Sequence, residues 1–282
     1  MNPIISEIKK ILYALQFLTI FKVLNISERS EGIIKFMNVE WNEKFAAKSA
    51  AYFPLVGILI GCILAVAYFA ISFIFPKSIG LTAIILIIIE IVLVRGLHLD
   101  GFIDTVDGLF GGMNKDERLR IMKDTHPGSF GIVAVVLLLL LKFTLISEIL
   151  NLNLNSDKFF VAAILVLMPA LGRYAMLIPM AVFPYARSNG TGGWTKFVKF
   201  GEILTASLFV VLPVILISYV FLNLKLLVLL ITLIIALLIF SLMLSKYIAS
   251  KIGGMTGDTY GAITEISEIF VLFAFSLCLL CL

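Results

Sequence analysis

Three aspartates crowd the segment His98-Leu-Asp-Gly-Phe-Ile-Asp-Thr-Val-Asp-Gly108, which lies between two long apolar runs. If this segment is helical, Asp100, Asp104 and Asp107 fall within roughly 60° of one another on one face. Like charges at that spacing repel by about 0.2–0.5 kcal/mol per pair, so folding alone gives no reason to collect them. A cation does. Set at the edge of a membrane, the trio reads as a set of metal ligands.

A second acidic block follows far downstream, in Lys251-Ile-Gly-Gly-Met-Thr-Gly-Asp-Thr-Tyr-Gly-Ala-Ile-Thr-Glu265. Its glycine turn (Gly253, Gly254, Gly257) lets backbone come close to a ligand or to another helix. Asp258 follows the turn, Glu265 lies seven residues on along the same helical face, and Glu268 is one turn further. Both glutamates sit inside an apolar run, where an ionised group costs about 2.5–3.5 kcal/mol or more unless it is paired or faces a cavity. They are either functional or paired with arginine to fix helix packing.

Arg173 and Arg187 are the natural counterparts, because a guanidinium grips phosphate through two parallel hydrogen bonds. Carboxylates that hold Mg²⁺, with arginines nearby, make a site for diphosphate chemistry. Each arginine has a plainer reading. Arg187 could be a charge anchor at the membrane surface, and Arg173, mid-run, could form a buried salt bridge with an acid such as Glu265.

The elements that must position these groups are membrane helices. Hydrophobic residues make up 61% of the 282-residue chain and charged ones 14%, with a mean hydropathy of +1.11; soluble domains have about 45–50% and 25%. Runs of about 20 apolar residues give seven spans: Ala50–Phe75, Ile79–Leu97, Phe130–Leu150, Phe159–Phe183, Ile203–Leu222, Leu226–Ser245 and Ala262–Leu282. The expected fold is an all-α polytopic membrane protein, a single integral domain over 1–282. Its N-terminal segment, 1–48, is read as cytosolic or interfacial. Ile4–Val23, with Glu7, Lys9 and Lys10 in an apolar helical pattern, reads as an amphipathic interfacial helix and not as a cleavable signal.

Lysine and arginine alternate between rich and poor connections along the chain. By the positive-inside rule this puts the N-terminus in the cytosol and the C-terminus outside the cell membrane. The polar blocks at Gly96–Gly131, Pro184–Gly193 and Lys251–Glu265 then share the cytosolic face. The net charge of +4 follows from the same bias, and no basic stripe interleaved with aromatics suggests nucleic acid. Cys62, Cys278 and Cys281 lie in apolar runs and two histidines are too few for a His-rich zinc site. Glu90, inside the second span, could support the site from behind or pair with a lysine or arginine of the bundle, and Lys142, inside the third, could snorkel or pair.

Taken together, the motifs resemble those of the cobalamin synthase family. The likeness rests on the aspartate block, Met122-Lys-Asp with Gly128-Ser-Phe-Gly131, Gly172-Arg-Tyr, Tyr185-Ala-Arg, and Gly253-Gly-x-Thr-Gly-Asp-x-x-Gly-Ala-x-x-Glu265. Gln16-Phe-Leu-Thr and Tyr52-Phe-Pro-Leu-Val-Gly57 extend it over nearly the whole chain. One departure is His126-Pro127, where the family has a basic and then an aliphatic residue.

The resemblance implies Mg²⁺-dependent joining of adenosylcobinamide-GDP and α-ribazole, or its 5′-phosphate, with release of GMP. It also implies roles: Asp100, Asp104, Asp107 and Asp258 as metal ligands; Asp100, Asp104, Asp124 and Glu265 as catalytic acids or bases; and His98, Arg173, Arg187, Gly254, Thr256 and Gly257 at the substrate phosphates. Membrane lipid is the surrounding partner, and self-association is left open.

Rival classes fit less well. The CDP-alcohol phosphotransferase pattern needs Ala-Arg at 104–105, where this chain has Asp104-Thr105. A membrane prenyltransferase needs an Asn-Asp-x-x-Asp block, and an ion-coupled transporter predicts an inverted repeat. Neither is seen.

Overall fold

The computed structural model describes residues 3–23, 42–152, 158–188, 190, 192–222 and 224–281. Within these residues the chain forms helices and no strand. Residues 24–41 of the segment read as cytosolic or interfacial lie outside the described residues. Six helices are long and apolar enough to cross a membrane. The first is longer than the sequence suggests. Helix α2 (Glu43–Ser49), a 3₁₀ turn over Ala50–Tyr52, and α3 (Phe53–Ile74) run on as one 32-residue rod. The others are α7 (Ser129–Leu152), α8 (Lys158–Ala175) continued by α9 (Leu177–Val182), α10 (Phe200–Val220), α11 (Leu224–Ile252) and α12 (Gly257–Cys281).

The predicted second span is shorter than the others. Helix α4 (Ile79–Leu93) has 15 residues, a length of about 22 Å against a hydrocarbon core of about 30 Å. Yet α3 leaves the end of the bundle near Asn42 and α7 starts back at that end, so α4 makes the return. Its final carbonyl, of Leu93, accepts from the N–H of Ile20 just after α1 (Pro3–Leu18). The chain then turns by 89° into α5 (Leu97–Gly111), which carries the aspartate trio and is followed by the short α6 (Lys115–Ile121).

That turn is a helix stop of the Schellman kind. The Gly96 N–H reaches the carbonyl of Ile91 at 2.9 Å and the Arg95 N–H that of Val92 at 3.1 Å. Arg95 takes the left-handed conformation (φ 56°) that such a stop requires and Gly96 follows at φ 65°. The non-glycine position is strained. Arg95 is steadied there by its own guanidinium, which donates to the Phe17 carbonyl at 3.4 Å.

Helix α8 is the axis of the bundle, buried over 78% of its apolar window against 28% for α7, α10 and α11. Gly57 and Gly61 on α3 form a small-xxx-small face against it. A Cβ on Gly61 would sit 2.6 Å from the Leu165 carbonyl oxygen, and one on Gly57 would sit 2.5 Å from that of Pro169. Pro169 lacks an N–H, so the Leu165 carbonyl loses its helical partner; the bare backbone of Gly61 covers it. Helices α5 and α12 cross equally closely, with Gly101 against the backbone of Asp258 and Gly261 against that of His98. This crossing brings the two acidic blocks together.

Replacing Gly61 with Val should therefore force α3 and α8 apart and cost about 1–3 kcal/mol. A lowered thermal unfolding midpoint in detergent is the measurement, and an unchanged one would refute backbone contact at this crossing.

Candidate active site

The site forms where α5 crosses the start of α12. The chain reaches α12 through Gly253 (φ 78°) and Gly254 (φ 151°), conformations that side chains resist. Gly254 lies against the Pro184 carbonyl, with no room for a Cβ. Around it the Met255 N–H donates to the Pro184 carbonyl at 2.8 Å and the Ala186 N–H to the Met255 carbonyl at 2.7 Å. This short pairing delivers Arg187 to Asp258. Their Nη2 to Oδ2 distance is 2.7 Å, and the same Nη2 donates to the Met122 carbonyl at 3.2 Å. Arg187 thus joins the three polar blocks in one place. Its Nε is buried and has no partner among the described residues.

Asp104 lies within the fields of Asp258, Asp100 and Arg187, and Asp100 and Asp258 line one cavity together with His98 and Gly257. Asp100 is exposed and Asp104 half-buried. Neither forms an ion pair among the described residues, whereas Asp258 is held by Arg187. Gly257, in the first turn of α12, has open space where a Cβ would lie, and a helix start is a favourable place for an anion. The three carboxylates do not close into a ready-made cage: among the described residues no three His, Cys, Asp or Glu side chains could hold a metal ion as they stand.

Other expected site residues are occupied elsewhere. Asp107 shares the helical face of Asp100 and Asp104 but turns toward α7. Its Oδ2 accepts from the Gly128 N–H at 2.7 Å and its Oδ1 from the Gly131 N–H at 2.8 Å. It is buried, and both glycines pack so tightly on it that a Cβ on either would collide. It clasps the loop ahead of α7 instead of standing free for a metal. Asp124 lies at the exposed tip of that loop. The backbone N–H and then the Nδ1 of its neighbour His126 hold its carboxyl below the usual range, and no contact joins it to the acids of α5 and α12. Thr256 is buried as the cap of α12: its hydroxyl accepts from the Thr259 N–H and donates to Asp258 Oδ2, each at 3.3 Å. It steadies Asp258 and has no free face for phosphate.

Arg173 and Glu265 are placed deeper, in a buried ion network. Lys142 of α7 lies 2.9 Å from Glu90 Oε2 on α4, and 2.6 Å from Glu268 Oε2 and 3.5 Å from Glu265 Oε2 on α12. Arg173 of α8 lies 3.0 Å from Glu268 Oε1 and also donates to the Pro169 carbonyl at 2.9 Å. Its side chain is fully enclosed. These contacts take Arg173 away from phosphate and Glu265 away from proton transfer; charges so buried persist only when paired.

A profile of the family described as cobalamin-5-phosphate synthase matches residues 10–276 of the chain. The chain belongs to that family. Among curated relatives, the adenosylcobinamide-GDP ribazoletransferase of Caldanaerobacter subterraneus subsp. tengcongensis is 33% identical over 96% of this chain and 99% of its own length. That of Desulforamulus reducens is 34% identical over 90% and 95%, and that of Fusobacterium nucleatum 35% identical over 86% and 92%. No solved structure matches. The resemblance to the cobalamin synthase family read from the motifs is thereby borne out.

Sequence reasoning missed the aromatic wall of the site, Phe17, Phe53 and Trp194. Phe17 and Phe53 sit in apolar stretches in which an aromatic side chain raises no question, and Trp194 stands alone in a polar connection. The only signal was their position within or next to the motif blocks at 16–19, 52–57 and 184–193.

Two outcomes test these assignments. Lys142→Met should destabilise the protein by about 3–5 kcal/mol, and pairing it with Glu90→Gln should recover part of the loss in detergent melts. Asp107→Ala should speed proteolytic nicking between residues 122 and 131 while leaving the Mg²⁺ concentration for half-maximal activity unchanged. A shift in that concentration would return Asp107 to the metal site.

Proposed function

We propose that this chain transfers the cobinamide-bearing phosphate of adenosylcobinamide-GDP to a hydroxyl of α-ribazole or its 5′-phosphate. The hydroxyl oxygen forms a new bond to that phosphorus, the bridge of the diphosphate breaks, GMP departs, and the hydroxyl proton passes to a carboxylate. The products are adenosylcobalamin, or its 5′-phosphate, and GMP. The observation that carries this reading is the meeting of Asp100, Asp104, Asp258 and Arg187 from distant parts of the chain, in a member of this family.

Mg²⁺ suits the donor set. It commonly takes only one or two carboxylates and completes its shell with water and substrate phosphate, so an open group of acids is a fitting site. Asp100, Asp104 and Asp258 would hold it. Bound there, it supplies positive charge for the diphosphate and the leaving phosphate.

The chain's own groups do the rest. The unpaired Nε–H of Arg187 and the open first turn of α12 bind phosphate oxygens. Asp100 and Asp104, free of ion pairs, are the carboxylates available to take the proton from the attacking hydroxyl. Lysines and arginines gather at the site end, so the site opens on the cytosolic side of the cell membrane.

Asp104→Ala should lower GMP release at least about 100-fold in protein that still inserts and melts as the parent does, and chelating Mg²⁺ should stop release. Turnover that survives either treatment would overturn the corresponding role.

A further inference from the structure

Beside the acids lies a cavity of about 180 Å³, open at one side. Much of its wall is apolar. Phe17 and Phe53 stack with their ring centres 5.9 Å apart, and Trp194 stands edge-on to both, at 5.7 and 6.2 Å. Leu18, Met176 and Met180 complete the apolar surface. The polar groups deeper in the wall are already satisfied: the Tyr260 hydroxyl donates to Thr195 Oγ1 at 3.2 Å, which donates to the Gly192 carbonyl at 2.8 Å. Asp100 and Asp258 also line it. His98 lines the cavity too, while its Nε2 is enclosed and has no hydrogen-bond partner among the described residues.

We infer that this cavity seats the planar base of the attacking nucleoside, and so sets which nucleoside is joined. The inference rests on the reaction proposed above and adds where one of its two substrates sits. An apolar cavity of about 150 Å³ takes a benzene ring, so this one admits a small aromatic base and excludes a corrin macrocycle. The base of α-ribazole, a dimethylated benzimidazole, matches the walls. Its edges are apolar apart from one ring nitrogen, and its methyl groups meet methionine and aromatic carbon. Guanine, the base of the other substrate, matches poorly: its carbonyl, ring N–H and amino group would be left against apolar walls, and each unpaired polar group is costly to bury. With its base seated here, the nucleoside's ribose lies at the acidic side, where its hydroxyl must meet the phosphate.

Free 5,6-dimethylbenzimidazole, which carries no hydroxyl to transfer, is the probe. It should compete with α-ribazole and not with adenosylcobinamide-GDP in the intact protein. Met180→Trp, which fills the cavity, should raise the KM for α-ribazole about tenfold or more while moving that for adenosylcobinamide-GDP less than about twofold, a split of about fivefold or more, worth about 1 kcal/mol. Competition with adenosylcobinamide-GDP, or a rise in its KM alone, would place guanine here and overturn the inference. Equilibrium dialysis of the free base needs no turnover, so it separates this inference from the reaction itself. Saturable binding to the intact protein that weakens in Met180→Trp and in Trp194→Ala supports the cavity even if no transfer is seen. Absence of binding, or equal binding to all three proteins, overturns it.

Discussion

The constraint on which the architecture turns is the need to neutralise charge inside the bundle. Lys142 and Arg173 are enclosed among helices, where neither can keep its hydration. Each survives because acids from other helices reach it: Glu90 from α4, Glu265 and Glu268 from α12. Hydrocarbon lends helix association little hydrophobic drive, so packing and polar contacts must choose the partners. A shift of one helix by a single turn would part these charges. The network therefore sets the rotation and depth of α12 against α4, α7 and α8, and with them the height at which Asp258 emerges.

From that fixed depth the site follows by short steps. Helix α12 presents Asp258 at its first turn, the glycines at 101 and 261 let α5 lie directly across it, and the paired backbone at Pro184 and Met255 brings in Arg187. Of the acids, Asp100 and Asp104, nearer solvent, stay free of ion pairs among the described residues, whereas the enclosed Glu90, Glu265 and Glu268 are paired. Depth separates charges that serve structure from charges free to meet a ligand.

Much of this could be read from the residues. The apolar runs mark the spans, because crossing hydrocarbon imposes a length that composition records. The polar connections mark the end of the bundle where chemistry collects, and Asp100, Asp104, Asp258 and Arg187 do meet there. Helical spacing could not say more, because it reports direction only to within a face. Asp107 shares a face with Asp100 and Asp104, yet a neighbouring loop claims it. Glu265 and Glu268 lie three residues apart on α12, and which of them meets Arg173 depends on how that helix is turned. The sharp bend after α4 rests on Arg95 in a conformation that no local pattern announces. Phe17, Phe53 and Trp194 become a wall only when three distant segments converge.

The position of α8 bears on how this chain can change over time. With α3, α10 and α12 packed around it and bare glycine against its carbonyls, this helix has almost no side free to drift, and its replacements must conserve shape. Helices α10 and α11 turn most of their surface outward, where one aliphatic side chain serves as well as another. The molecule can thus adapt its outer skirt to lipids of different length or saturation by ordinary sequence drift, while the axle that holds the site in register stays as it is.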